Sequence, residues 1–234
     1  MVYLTFMGKS LILLHGALGS AEQLVHIKNS LGLHFTCFTF DFMGHGGTSI
    51  PDKILMPNLV NQLESFIKEN IPAEDHLTVF GYSMGGYAAL MLASRRLSKI
   101  DRIITLGTKL AWSPDIAMKE VKMLNPNVIE EKVPAFAKEL ENRHQPQDWK
   151  LLLSKTIDMM TDLGVNQYLN DEVLNNISVP VKLMIGDRDK MSSLDETVDV
   201  FRKLKDVSIS VLPSTPHPID KVNMNRLIFE LLEK

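Results

Sequence analysis

The chain of 234 residues carries a single cysteine, Cys37. That excludes an internal disulfide framework and leaves a thiolate-rich zinc site without its second ligand. Charge of one sign is equally scarce. Twenty-five basic residues stand against 28 acidic ones, a formal net charge of −3, which provides no electrostatic footprint for nucleic acid or an anionic membrane surface. No apolar run approaches the ~18 residues of a membrane span. The first residues lack a basic leader, and Lys9 interrupts their apolar stretch. Internal repeats and low-complexity tracts are also absent. These absences lead us to expect a cytoplasmic protein without nucleic-acid or membrane partners. With 45% hydrophobic and 23% charged residues, the composition is that of an ordinary globular core rather than a disordered chain.

What is present is a rhythm. Leu11–Leu14, Phe35–Phe40, Leu77–Phe80, Ile103–Leu106 and Val181–Ile185 are short apolar runs, as expected of strands covered on both faces. Val207, Ile209 and Val211 alternate with serines, the pattern of a half-exposed strand near an edge. Helical patterns fall between them: from Ser20 as N-cap to about Leu31, then roughly 57–69, 84–96, 193–204 and 219–232. Strands alternating with helices predict an α/β fold, a mostly parallel sheet flanked by helices. Residues 110–175 break the alternation. They read as three or four helices punctuated by prolines, with 11 acidic against 7 basic residues, a bias that disfavours a polyanionic substrate. The expected organisation is a core of 1–109 and 176–234 with a helical cap inserted at 110–175.

Four loops carry the chemistry. Gly81-Tyr82-Ser83-Met84-Gly85-Gly86 follows a strand and precedes an apolar helix, the context that G-x-S-x-G requires. Small neighbours let the backbone turn sharply so that the serine Oγ protrudes, and the helix aims its N-terminal N–H groups at developing negative charge. His15-Gly16-Ala17-Leu18-Gly19-Ser20 follows the strand at 11–14 and suits a second N–H donor, that of Ala17 beside that of Met84. His15 itself reads as a hydrogen-bonded structural residue. Gly186-Asp187-Arg188-Asp189 places two carboxylates beyond a strand end, and either can orient an imidazole. Asp189 is preferred, since Asp187 is placed to cap the turn or pair with Arg188. His217 lies in Pro213-Ser214-Thr215-Pro216-His217-Pro218, with Pro218 suited to the first turn of the last helix. Cys37 sits within a strand pattern, where a thiol behaves as a small hydrophobe.

Taken together, the order Ser83…Asp189…His217 and the four loops resemble the α/β-hydrolase family, in its small capped serine hydrolase or esterase branch. Asp41-Phe42-Met43-Gly44-His45-Gly46 is similar to that family's D-x-x-G-x-G loop, with Asp41 and His45 read as structural. Three departures are visible: Pro216 stands where glycine often precedes the histidine, only Val2–Phe6 offers an early strand, and the ending of the pocket loop is blurred into Gly47-Thr48-Ser49. The resemblance implies acyl transfer to water on a small to medium carboxylic ester. Ser83 is the nucleophile, His217 the general base and acid, Asp189 the orienting carboxylate, and the N–H groups of Ala17 and Met84 form the oxyanion hole. It implies no metal and no organic cofactor, and a small-molecule acyl substrate as partner.

The alternatives are a lyase similar to the menaquinone-pathway synthase that eliminates pyruvate, a cofactor-free perhydrolase or haloperoxidase, and a non-catalytic ligand-binding receptor. The lyase resemblance lacks its arginine after G-Y-S-M-G-G, where Tyr87 stands. The cap offers Trp112, Met118, Met123, Phe136, Trp149, Met159, Met160 and Tyr168 as apolar side chains for a pocket or a core.

Overall fold

The computed structural model describes residues 8–97 and 99–233, so the expected strand Val2–Phe6 lies outside the described residues. Six strands form one sheet: β1 (Lys9–Leu14), β2 (Thr36–Thr39), β3 (His76–Tyr82), β4 (Ile100–Leu106), β5 (Val181–Gly186) and β6 (Val207–Leu212). Their order is β2-β1-β3-β4-β5-β6 and every pairing is parallel. The chain runs from β1 outward to β2 and returns to the other side of β1 as β3. The order therefore reverses between β1 and β3, where an open α/β sheet presents its binding crevice.

Alternation along the strands divides the interior. Ile12 and Leu14 of β1 face one core, while Leu11 and Leu13 face the other. Leu77 and Val79 are parted from Phe80 and Tyr82 in the same way on β3. The helices α1 (Val25–Leu31), α2 (Met56–Asn70) and α3 (Met84–Ala93) follow the first three strands. Between β4 and β5 lie α4 (Pro114–Val121), α5 (Pro126–Lys132), α6 (Pro134–His144), α7 (Trp149–Val165) and α8 (Asp171–Asn175), which we call the cap. The last two helices are α9 (Leu194–Phe201) and α10 (Met224–Leu232). Leucines of α1 and α10 enter the smaller core, and those of α2, α3 and α7 enter the larger one. None of the helices among the described residues is long and apolar enough to cross a membrane.

Residues 110–175 hold five helices where the sequence predicts three or four, and three further local expectations change. The run Phe35–Phe40 yields only the four-residue β2, which sits at the sheet edge and is partly exposed rather than covered on both faces. The segment after Ser20 opens as a 3-10 turn, Ala21–Leu24, before α1 begins, and Gln23 Oε1 accepts the Ser20 N–H at 3.2 Å. The terminal helix starts at Met224, not 219, because Val222 is extended and Asn223 Oδ1 caps it by accepting the Arg226 N–H at 3.1 Å. Pro218 instead precedes a short 3-10 turn, Ile219–Lys221.

Both stems of the cap are tied to the core by buried side chains. Glu196 Oε2 of α9 accepts the N–H groups of Leu110 and Ala111 at 3.0 and 2.8 Å. The Tyr87 hydroxyl of α3 accepts the Leu169 N–H at 3.2 Å. On the opposite side of the sheet, Lys182 of β5 is buried and its Nζ lies 2.6 Å from Glu230 Oε2 of α10, with Glu233 Oε2 at the same distance.

Candidate active site

Parallel strands deliver the sequence-predicted residues to one end of the sheet. Ser83 lies between β3 and α3 with φ 52° and ψ −117°, a conformation that costs a non-glycine residue about 1–3 kcal/mol. Its neighbours hold it there. The Ser83 N–H donates to the Leu106 carbonyl at 2.9 Å, and its own carbonyl accepts the Thr108 hydroxyl at 3.2 Å. The turn can close because Gly81 has no Cβ, which would collide with the Gly85 backbone.

His217 follows β6 and meets Asp189, which follows β5: its Nδ1 is 2.7 Å from Asp189 Oδ2. The other oxygen, Oδ1, accepts the N–H groups of Met191 and Ser192 at 2.8 and 2.9 Å. Burial pushes this carboxyl upward, but the His217 hydrogen bond and the two amides outweigh it, holding Asp189 below the usual carboxylate range. Gly107, with φ +60°, leaves room for the pair, since a Cβ there would sit 3.0 Å from Asp189 Oδ2. The Tyr82 hydroxyl donates to the His217 carbonyl at 3.0 Å, fixing the loop from below. Asp187 does not reach the ring; its Oδ1 accepts the Thr215 N–H at 3.0 Å and shapes the loop that carries His217.

Ser83, His217, Ala17 and Met84 line one cavity. Its volume is about 50 Å³. Met56, Met159, Met160, Leu163 and Met191 make its walls largely apolar. Two charged residues also line it, and they face each other: Lys109 Nζ is 3.1 Å from Glu120 Oε1. The ammonium donates further to the Met191 carbonyl at 2.8 Å and lies 5.9 Å from the centre of the Trp112 ring. Of the cap residues expected to face a pocket, Trp112, Met159 and Met160 do so. Met118, Met123 and Phe136 are exposed, and Trp149 and Tyr168 pack into the larger core.

The loop bearing Ala17 is a turn closed by the Gly19 N–H donating to the Gly16 carbonyl at 3.1 Å. His15 is fully buried behind it. Its Nδ1–H donates to the same Gly16 carbonyl at 2.8 Å, and its Nε2 accepts the Phe42 N–H at 3.1 Å. These two bonds define a neutral tautomer, and burial pushes the ring down to about 4. His45 and His144 lie near it, tilted and edge-on rather than stacked, with ring centres 5.1 Å apart for His15–His45 and 5.9 Å for His45–His144. Burial lowers both, His144 to about 4. Asp41 Oδ1 accepts the Ala21 N–H at 2.7 Å, a structural bond in keeping with its place in the D-x-x-G-x-G loop.

Sequence reasoning missed Arg143 and His144. Both reach from the end of α6 to the Leu18 carbonyl, Arg143 Nη1 at 2.9 Å and His144 Nε2 at 3.1 Å. Nothing periodic announces such a contact, since 125 residues separate the first pair. Among the described residues, no three His, Cys, Asp or Glu side chains stand together as a metal-ligand set. A half-buried hydroxyl on a strained turn, sharing a cavity with an imidazole held by a carboxylate, has the groups needed to pass its proton to the ring and attack an electrophile.

A family model described as the alpha/beta hydrolase fold matches residues 9–156. The pimeloyl-[acyl-carrier protein] methyl ester esterase of Salmonella newport (strain SL254) is 25% identical over 202 residues, spanning 86% of this chain and 72% of that protein. Among solved structures, a putative lipase from Acinetobacter baumannii AYE superposes with a TM-score of 0.79 at 16% identity, covering 97% of this chain and 83% of the other. The enol-lactonase from Burkholderia xenovorans LB400 gives 0.75 at 15% identity over 97% and 92%. A thioesterase domain from the curacin biosynthetic pathway gives 0.74 at 19% identity over 97% and 92%. At these identities the structural likenesses speak for the fold.

Proposed function

The chain belongs to the α/β-hydrolase fold family and is an enzyme of that family, and from that premise we propose that it hydrolyses a small to medium carboxylic ester through an acyl-enzyme on Ser83. The observation that carries this reading is the 2.7 Å contact between His217 and Asp189 at the wall of a cavity shared with Ser83. In the first step the Ser83 Oγ attacks the ester carbonyl carbon while His217 Nε2 takes the hydroxyl proton. Asp189 holds the ring in the tautomer with Nδ1 protonated and stabilises the imidazolium that forms. The carbonyl oxygen, now an anion, is held by the N–H groups of Ala17 and Met84, each worth roughly 3–4 kcal/mol in such a site. His217 then gives the proton to the leaving alcohol. A water, deprotonated by the same ring, releases the acid and restores Ser83.

The walls support an uncharged acyl group. Five apolar side chains line the cavity that Ser83 enters, and the lysine among them already has a carboxylate, a carbonyl and an aromatic ring as neighbours. A relative named as a methyl ester esterase is consistent with a small alcohol as leaving group. The pyruvate-eliminating lyase expects a cation after the elbow, where the Tyr87 hydroxyl accepts the Leu169 N–H instead.

The test is turnover of a chain-length series of p-nitrophenyl esters by wild type and Ser83→Ala, with fluorophosphonate labelling read by mass spectrometry. Turnover of the shorter esters, lost in the variant, and a single adduct on Ser83 are expected. A folded wild type that neither hydrolyses any ester nor takes up the label would overturn the reading.

A further inference from the structure

Resting on the serine-hydrolase reading, we propose that Arg143 and His144 of the cap are positioning residues for the oxyanion hole, acting through the Leu18 carbonyl on the turn that presents the Ala17 N–H. Both donors converge on that one oxygen at 2.9 and 3.1 Å.

The turn needs holding. Leu18 occupies the left-handed region at φ 58°, which costs an L-residue roughly 1–2 kcal/mol. The peptide joining Leu18 to Gly19 is planar. Fixing its C=O with two donors therefore fixes the direction of the Gly19 N–H on its other side. That N–H donates to the Gly16 carbonyl at 3.1 Å, and the Gly16 carbonyl belongs to the next rigid plane, whose opposite edge is the Ala17 N–H. Two peptide planes thus connect the end of α6 to the donor beside Ser83. His15 grips the Gly16 carbonyl from the core at 2.8 Å, so the turn is held at one corner by the body of the protein and at the other by the cap.

The cap residues are built for this contact. His144 Nδ1 accepts the Gly46 N–H at 3.1 Å, which leaves the proton on Nε2, the nitrogen facing Leu18. His144 is fully buried, and Arg143, its side chain 11% exposed, is braced by Glu139 one turn earlier. A guanidinium and a neutral imidazole on one carbonyl make a firmer hold than a water, which would leave the turn free to relax toward an ordinary φ.

If the clamp aims the donor, its loss should harm the transition state and spare ground-state binding. Arg143→Met keeps the apolar stem and removes the donor. The expected result is a fall in kcat of about tenfold or more, with KM within twofold and with an equal loss of affinity for a trifluoromethyl ketone analogue of the best ester. Arg143→Lys should recover most of it. Glu130→Gln, which breaks the Lys150–Glu130 pair on the cap surface, should change neither constant. A folded Arg143→Met with wild-type kcat and unchanged ketone affinity overturns the proposal, as does a loss confined to KM. Should that variant not fold, His144→Phe removes the other donor and is read in the same way, with His144→Gln as its rescue. Turnover that persists in Ser83→Ala would bring down the underlying hydrolase reading instead. Loss in Ser83→Ala with full kcat in the clamp variants brings down the clamp alone.

Discussion

The Asp189 carboxylate meets the His217 ring with one oxygen while two main-chain N–H groups hold the other. Its position is set by the Gly186–Ser192 loop as well as by the imidazole. Asp187, two residues earlier, spends its oxygen on the Thr215 N–H. The two aspartates therefore divide the work: one orients the ring and the other shapes the loop.

That division predicts different costs for the same substitution. Asp189→Asn should lower kcat by about 10⁴, since an amide cannot favour the required tautomer. Asp187→Asn retains an oxygen that accepts from Thr215 and should cost less than about tenfold, within the range of one neutral hydrogen bond. Steady-state kinetics on the preferred p-nitrophenyl ester decide it. Equal losses in the two variants would contradict the assignment.

The Lys109–Glu120 pair predicts a change of substrate. Glu120→Gln removes the carboxylate 3.1 Å from Nζ and leaves an unneutralised ammonium in the cavity wall. Relative to an uncharged ester of equal length, an ester with a terminal carboxylate on its acyl group should gain about tenfold or more in kcat/KM, the scale of one charge-assisted hydrogen bond. An unchanged ratio would mean that Lys109 does not face the bound acyl group.

The buried histidines predict acid sensitivity well above the carboxylate range. His15 and His144 titrate at about 4, and His45 well below its ordinary 6.5. Above 6.5 these rings are neutral whether the chain is folded or not. As the pH falls from 6.5 toward 4, the unfolded chain takes up protons that the native state refuses, so stability present above 6.5 is lost across that window. His15 alone contributes about 3 kcal/mol of that loss. Urea midpoints at pH 7, 5.5 and 4.5 should fall in step. A flat profile would show that these rings are not held neutral.

On the far side of the sheet, Glu230→Ala deprives a buried ammonium of its nearest buried carboxylate and should cost about 2–3 kcal/mol in denaturant unfolding. Turnover should stay intact, because Glu230 of α10 and its partner Lys182 of β5 line no part of the cavity. The double variant Lys182→Met/Glu230→Leu should recover much of the loss, because it removes both charges rather than orphaning one.

The elbow was legible in the sequence because its requirements are local: Gly81, Ser83, Gly85 and Gly86 are neighbours, and the strand before and helix after them have their own periods. Asp189 and His217 were legible because parallel strands must deliver their following loops to one end of the sheet, so chain order implies proximity. The position of β2 was not legible, since Phe35–Phe40 has the same apolar content at an edge as in the middle. The start of α10 turned on whether Pro218 or Asn223 would begin the helix, and the Asn223 side chain decided it. Arg143 and His144 were invisible because a hydrogen bond to a main-chain carbonyl selects no residue type at Leu18, and nothing in the α6 pattern marks its last turn as reaching into the core.

The two stems of the cap carry a consequence for how this architecture can diversify. Leu110 and Ala111 are moored by Glu196, and Leu169 by Tyr87, side chains that belong to helices outside the insertion. Between the moorings no strand imposes a register, but α7 is not free to drift, since its Leu152, Leu153 and Leu163 pack into the larger core. The end of α6 is tied as well, because Arg143 and His144 reach the Leu18 carbonyl. A graft that replaces these helices and keeps the Leu18 turn as it stands must therefore bring its own donors to that oxygen as well as its own apolar face for the larger core.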